Sequence, residues 1–287
     1  MVSLRQKFEN NGFIIVKNLI SKKLISSFIE IYNNKFLNSD NDPYAQMNSQ
    51  KIGKKKVNKY GYLQDPIADI HCLNINKEKH NKFVNKSLDI ILNKKILKIL
   101  EKINNFQKHN LMMSMMFDQN VGTPPHQDWY YLDSLPNGNI TGVWIALEDI
   151  NYKAGRFFVV PGSNKMILEL KKNEIKKPDL YEKKIELLLK SNKCKIFAPS
   201  LRKGDVLFWN SGTIHGSKKT VDDKFSRKSF TAHFLPSKLK FVTNRYENKV
   251  RKMNFFKYKD QYCRITNSYN NTKKNSFQRS LKSFNKF

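Results

Sequence analysis

Apolar positions in the first third of the chain recur mainly at helical spacing, whereas those further on fall into short runs broken by turn residues. After Gly12, the run Phe13, Ile14, Ile15 and Val16 reads as a buried strand. Ser21 stands where an N-cap belongs. Leu24, Ile25, Phe28, Ile29, Tyr32 and Phe36 follow it at intervals of three and four, which predicts an amphipathic helix over about residues 22–36. Residues 38–62 hold Pro43, Gly53, Gly61 and the run Lys54, Lys55, Lys56 with no period, so a long loop is expected there. From Asn81 to Ile103, the positions Phe83, Val84, Leu88, Ile91, Ile96, Leu100 and Ile103 restore the helical pattern, with a break near Asn93.

Beyond this point the period shortens, and strands are expected at about 111–118, 125–131, 140–148, 156–160, 205–209 and 227–235. A Lys-rich insertion at 164–198 has partial helical spacing in Ile185, Leu188 and Leu189. The pattern describes a mainly β protein with flanking helices, built as a sandwich or double-sheet barrel. One domain is expected over residues 1–236, with a helical part over about 1–105 and a strand-rich core over about 106–236. Residues 237–287 then read as a basic C-terminal extension, with Tyr and Phe scattered among Lys and Arg.

The 287 residues are 39% hydrophobic and 12% aromatic, enough to build a core, which excludes wholesale disorder. The formal charge of +29 invites a polyanionic partner. Lys, Asn and Ile are nevertheless abundant in every segment, and no zinc-finger, RRM or basic-zipper pattern accompanies them. Compositional bias is the better reading, and no specific nucleic-acid partner is expected. Cys72, Cys194 and Cys263 form no metal-binding or disulfide framework and fit a reducing compartment. The N-terminus lacks the apolar stretch of a signal peptide, and no run reaches the roughly 18 apolar residues of a membrane span. The expected location is the cytoplasm.

In PPHQDWYY, His126 and Asp128 lie two apart, so a strand would present both on one face. An imidazole and a carboxylate completed by a second histidine make a facial triad that leaves three metal positions open. Such a pair is common by chance, and its meaning depends on the third ligand. His215, in DVLFWNSGTIHGS, is the candidate. His71, His80, His109 and His233 read as structural. Twelve residues after His215, Arg227 opens the strand RKSFTAHFLP. A buried guanidinium there could grip a carboxylate through two hydrogen bonds, and Arg202 is the alternative anchor.

These motifs also carry a resemblance. NGFIIVKNLISKKLISSF resembles the opening strand and helix of the phytanoyl-CoA dioxygenase family. HQD followed by aromatics, GVWIALEDINYKAGRFFVVPGSNK, and HGS with a later arginine resemble its other motifs, in the same order. The resemblance implies a double-stranded β-helix, or jelly-roll, fold. It implies His126, Asp128 and His215 on iron(II), and Arg227 on the distal carboxylate of 2-oxoglutarate, with Gln127 and Trp144 lining the co-substrate pocket. Strand alternation alone would point Gln127 away from the metal face. Two departures stand out: Asn164 replaces the histidine of a PGSH-type turn, and the His215-to-Arg227 spacing is about one residue longer than usual in the family, which predicts an insertion near Val221 to Lys224.

The implied activity is a dioxygenase that consumes O2 and 2-oxoglutarate, hydroxylates a C–H bond of a small molecule, and releases succinate and CO2. The loops at 38–62, 129–139 and 164–198 are expected to shape the substrate pocket, and the lysines of the first and last point to an anionic substrate. The rival reading is a binding protein on the same fold with lost or secondary iron chemistry and nucleic acid as its ligand. Desaturation, ring closure or halogenation are other outcomes of the same chemistry.

Overall fold

Ser3 and Gln6 form a capping box at the start of α1 (Leu4–Asn11), and Gly12, at φ 78°, ends it. The sequence pattern does not announce this helix, because it buries only Phe8. β1 (Phe13–Val16) follows, and the Ser21 hydroxyl, accepting from the Leu24 N–H, caps α2 (Lys22–Ile31). A π-helical segment, Tyr32–Leu37, continues α2. The computed structural model describes residues 2–38, 44–47, 52–73, 80–191, 194–266 and 268. Parts of the expected 38–62 loop and most of the basic tail lie outside them.

Three short strands, β2 (Tyr44–Ala45), β3 (Ile52–Gly53) and β4 (Ile67–Ala68), precede α3 (Asn81–Ile91) and α4 (Lys94–Asn104). The expected helical break falls at Asn93, which caps α4 by accepting from the Lys95 N–H. The strand-rich half comprises β5 (His109–Phe117), β6 (Asp133–Leu135), β7 (Thr141–Ala146) and β8 (Phe157–Val159). After α5 (Pro178–Lys190), in the Lys-rich insertion, come β9 (Val206–Asn210), β10 (His215–Ser217) and β11 (Ser229–Pro236). Last are β12 (Lys240–Val242), β13 (Phe255–Tyr258) and β14 (Gln261–Arg264).

The main sheet runs β1-β9-β7-β11-β5-β14-β13, with β4 also on β5, and β8 pairs with β10 in a second, smaller sheet. Alternation gives the main sheet two different faces. Val143, Ile145, Phe208, Phe230 and Ala232 pack with Phe28, Leu88, Ile96 and Leu100 of the helices. Their neighbours Trp144, Ala146, Leu207 and Trp209 turn the other way and pack against Phe157 and Val159 of β8. This is the expected jelly-roll pair of sheets flanked by helices. Among the described residues, the strands form no closed barrel.

Two expectations change. Residues 125–131 are not a strand: His126 makes a single bridge to His215, and Asp128–Tyr130 is a 3-10 turn. Nor does the fold stop at Pro236, because β13 and β14 extend the main sheet through β14 on β5. The basic composition of this segment hid three short strands, β12 on β6 besides these two. Among the described residues, no helix is long and apolar enough to cross a membrane.

Candidate metal centre

The centre begins with two backbone hydrogen bonds. The His126 N–H donates to the His215 carbonyl at 3.0 Å, and the His215 N–H donates back at 2.9 Å, so the two imidazoles sit side by side. Their ring centroids are 4.2 Å apart. Nδ1 of His126 lies 2.9 Å from the Pro124 carbonyl, and Nδ1 of His215 lies 3.0 Å from that of Thr213. A carbonyl only accepts, so each Nδ1 carries the hydrogen and each Nε2 presents a lone pair to the site.

Asp128 reaches the same point from the turn rather than from a strand. Its carbonyl accepts from the N–H groups of Tyr131 and Leu132, both at 2.8 Å, and this fixes the start of the turn. Oδ1 then lies 3.5 Å from Nε2 of His126 and 3.6 Å from Nε2 of His215. These distances are too long for hydrogen bonds. Ligands at right angles and about 2.1 Å from a shared ion stand roughly 3 Å apart, so a small contraction would suit one. The three ligand atoms all lie within 4.8 Å of one another, and all three residues are buried. The donor set fits iron(II): two neutral imidazoles and one carboxylate, with the remaining metal positions facing a cavity.

The electrostatics agree. Burial opposes the charge on Asp128, but the neighbouring imidazoles of His215 and His233 and the hydrogen bond from His233 outweigh it and hold the carboxyl well below its ordinary value. Burial drives His215 down to about 3 despite the attraction of Asp128, so it is a neutral ligand at physiological pH.

A cavity open to solvent, about 840 Å³ of empty space with the solvent at its mouth included, lies against the three ligands. Met47, Met113, Met115, Phe117, Tyr131, Trp144 and Phe157 form an apolar part of its wall, and Arg227 is its single arginine among the described residues. Arg227 is 2% exposed, and burial brings its guanidinium down to about 10. Its Nη1 donates to the Gly155 carbonyl at 3.3 Å, and its buried Nε has no partner. A buried cation with unused donors facing a cavity is suited to a ligand that completes them. A carboxylate entering the cavity supplies that partner, so the residues fit 2-oxoglutarate. No lysine lines the cavity among the described residues, and Arg202 is exposed and outside it.

Trp144 lines the cavity as expected, but Gln127 does not. The chain is extended at Gln127, which turns its side chain away from His126. Its Nε2 donates to the carbonyls of Gly212, Met166 and Ser163 at 2.6, 2.9 and 3.3 Å, and its Oε1 accepts from Trp129. It braces the loops behind the centre.

Two residues that the sequence reading missed touch the ligands. Oδ2 of Asp128 accepts from Trp209 Nε1 at 2.7 Å and lies 3.2 Å from Nε2 of His233. A signal existed for His233, which stands six residues after Arg227 in the segment expected to be one strand, and so on the same face. Trp209 carried no signal beyond that of a core tryptophan.

Fold and centre together define a jelly-roll non-haem iron enzyme dependent on 2-oxoglutarate. The phytanoyl-CoA dioxygenase profile matches residues 8–229, and the chain belongs to that family. The human peroxisomal phytanoyl-CoA dioxygenase is 24% identical over 264 residues, covering 83% of this chain and 69% of the relative. A Caenorhabditis elegans homologue of phytanoyl-CoA dioxygenase domain-containing protein 1 is 23% identical, covering 83% of this chain and 92% of the relative. Among solved structures, the epimerase SnoN with Fe3+, α-ketoglutarate and nogalamycin RO aligns with a TM-score of 0.58 at 13% identity, covering 92% of this chain and 97% of that one. EctD from S. alaskensis, with 2-oxoglutarate and 5-hydroxyectoine, aligns with a TM-score of 0.56 at 16% identity, covering 88% and 79%.

Proposed function

We propose that this dioxygenase hydroxylates a C–H bond on an apolar part of a small molecule, with His126, Asp128 and His215 holding iron(II) and Arg227 holding 2-oxoglutarate. The observation that carries the reading is the pairing of an under-satisfied buried arginine with three converging ligand atoms in one cavity. Bound iron(II), with 2-oxoglutarate and O2, supplies the oxidising power, and succinate and CO2 leave. The chain's residues place and shield the reactants. Arg227 fixes the far carboxylate of the co-substrate, Trp144 and Phe157 wall its chain, and the Nδ1 contacts of both histidines keep their Nε2 atoms fixed on the ion.

Met47, Met113, Met115 and Tyr131 also line the cavity and would meet the substrate. With Arg227 committed to the co-substrate, no other arginine and no lysine lines the cavity among the described residues, which supports an uncharged reacting part of the substrate. An anionic group would instead lie outside, near the exposed Lys54 and Lys56 of the segment that follows Met47. SnoN and EctD are each described with a small molecule and the same co-substrate, which supports a small-molecule substrate here. The three free thiols support a reducing compartment such as the cytoplasm. Intact ligands weigh against a pure binding protein, and a carboxylate at Asp128 weighs against halogenation.

Anaerobic addition of iron(II) and 2-oxoglutarate should give the visible charge-transfer band of the chelate, and admitting O2 should give succinate. A protein that gives neither is not an oxygenase.

A further inference from the structure

Three neighbouring strands of the main sheet place His233, Gly142 and Trp209 in one row. His233 of β11 is in register with Gly142 of β7, and Gly142 is in register with Trp209 of β9. The middle position has no side chain, and the indole occupies the space. A Cβ on Gly142 would come within 2.1 Å of the Trp209 ring. The indole and the His233 imidazole meet edge to face across this gap, 5.5 Å between centroids at 87°. Both are fully in the core, 0% and 2% exposed.

We infer that this row is a two-donor cradle that holds the second oxygen of Asp128 and makes the carboxylate a one-oxygen ligand. The inference rests on the iron(II) reading of the centre. Trp209 Nε1 can only donate, and it does so to Oδ2 at 2.7 Å. His233 Nε2 faces the same oxygen at 3.2 Å, so its hydrogen resides on Nε2. Two donors on Oδ2 leave Oδ1 alone turned toward Nε2 of His126 and His215. A carboxylate left to rotate could chelate through both oxygens and take one of the positions needed for 2-oxoglutarate and O2. The cradle prevents that rotation, so Trp209 and His233 are positioning residues, and Gly142 is the vacancy that lets them meet.

The cradle also predicts its own behaviour without Asp128. In Asp128→Gly, both donors lose their acceptor and face a small void, which makes a site for a small carboxylate such as formate. The test uses cobalt(II), a redox-stable probe, and reads its affinity and visible absorption in the full chain. Wild type should bind one cobalt(II). Trp209→Phe should weaken that binding by about 10–100-fold, the range for losing such an outer partner, and should alter the band pattern as the carboxylate swings. Asp128→Gly should bind poorly and recover with formate, and adding Trp209→Phe should abolish the recovery. Gly142→Ala, which displaces the indole while keeping its N–H, should reproduce the weakening if Trp209→Phe fails to fold. Unchanged affinity and spectrum in both Trp209→Phe and Gly142→Ala would overturn the cradle. Formate rescue that ignores Trp209 would do the same. Failure of the wild type to bind cobalt(II) would instead overturn the iron reading, and the cradle with it.

Discussion

Replacing Arg227 with Met should produce two effects of opposite sign, and their combination is hard to obtain from any other role. The guanidinium is 2% exposed, has one hydrogen bond of 3.3 Å to Gly155, and leaves Nε without a partner. Burial lowers its pKa from 12.5 to about 10, a cost of roughly 3 kcal/mol to keep the charge in place. Phe117, whose ring lies 5.5 Å from the guanidinium, returns part of it. A methionine fills similar volume without that cost, so the protein free of co-substrate should melt at an unchanged or higher temperature. Binding of 2-oxoglutarate should suffer. Two charge-assisted hydrogen bonds contribute about 3 kcal/mol together, which corresponds to a rise in Kd of roughly a hundredfold. Anaerobic titration of the iron(II) protein, followed by the charge-transfer band, gives the Kd. Thermal melts with and without 2-oxoglutarate give the stability. A Kd within about twofold of wild type, or a variant that melts well below wild type in the absence of co-substrate, would refute the anchoring role.

His126→Ala and His215→Ala should each remove iron(II) binding and succinate formation while the fold persists by circular dichroism; a variant that keeps both would remove that histidine from the centre. Asp133 has a buried carboxylate with Oδ1 accepting from the N–H groups of Ser134 and Gly138 and Oδ2 unpartnered, and burial raises its pKa from 3.8 to about 6. A raised acid favours folding in its protonated form, so its contribution is full below about pH 4 and is lost as pH rises through 6. Asp133→Asn should therefore stabilise the protein by up to roughly 3 kcal/mol at pH 8 and by less at pH 5, and equal shifts in melting temperature at the two values would contradict this. If composition explains the charge of +29, DNA binding should be weak, sequence-indifferent and gone by about 0.2 M salt; gel shifts that show selective binding at that salt would promote the nucleic-acid reading.

The parts legible in the sequence are those whose signal is local. The strand at Phe13–Val16, the cap at Ser21 and the break at Asn93 each depend on a few neighbouring residues, and each is where the sequence placed it. The convergence of His126, Asp128 and His215 was legible for a different reason: the motif order carried it, although the local geometry imagined for it was mistaken. A strand was expected to align His126 with Asp128, yet the chain turns at Asp128 and its carbonyl closes the turn with Tyr131 and Leu132. The alternation rule failed at the one step where a turn replaced a strand, and it held at Gln127, which does point away. What stayed hidden is what depends on lateral register. Nothing local says that Gly142 lies between His233 and Trp209, because strands β11, β7 and β9 are far apart in sequence and are joined only by sheet pairing. The same applies to the charge. Fifty-three lysines and arginines read as compositional bias, with loop lysines alone pointing to an anionic substrate, and the cavity holds a single arginine and no lysine among the described residues. Lys94, Lys95, Lys98 and Lys102 instead ride the outer side of α4, while Ile96, Leu100 and Ile103 hold it to the sheet. The basic residues of that helix thus satisfy the demand for a solvated face, and the chemistry is left to a pocket whose polarity the composition could not reveal.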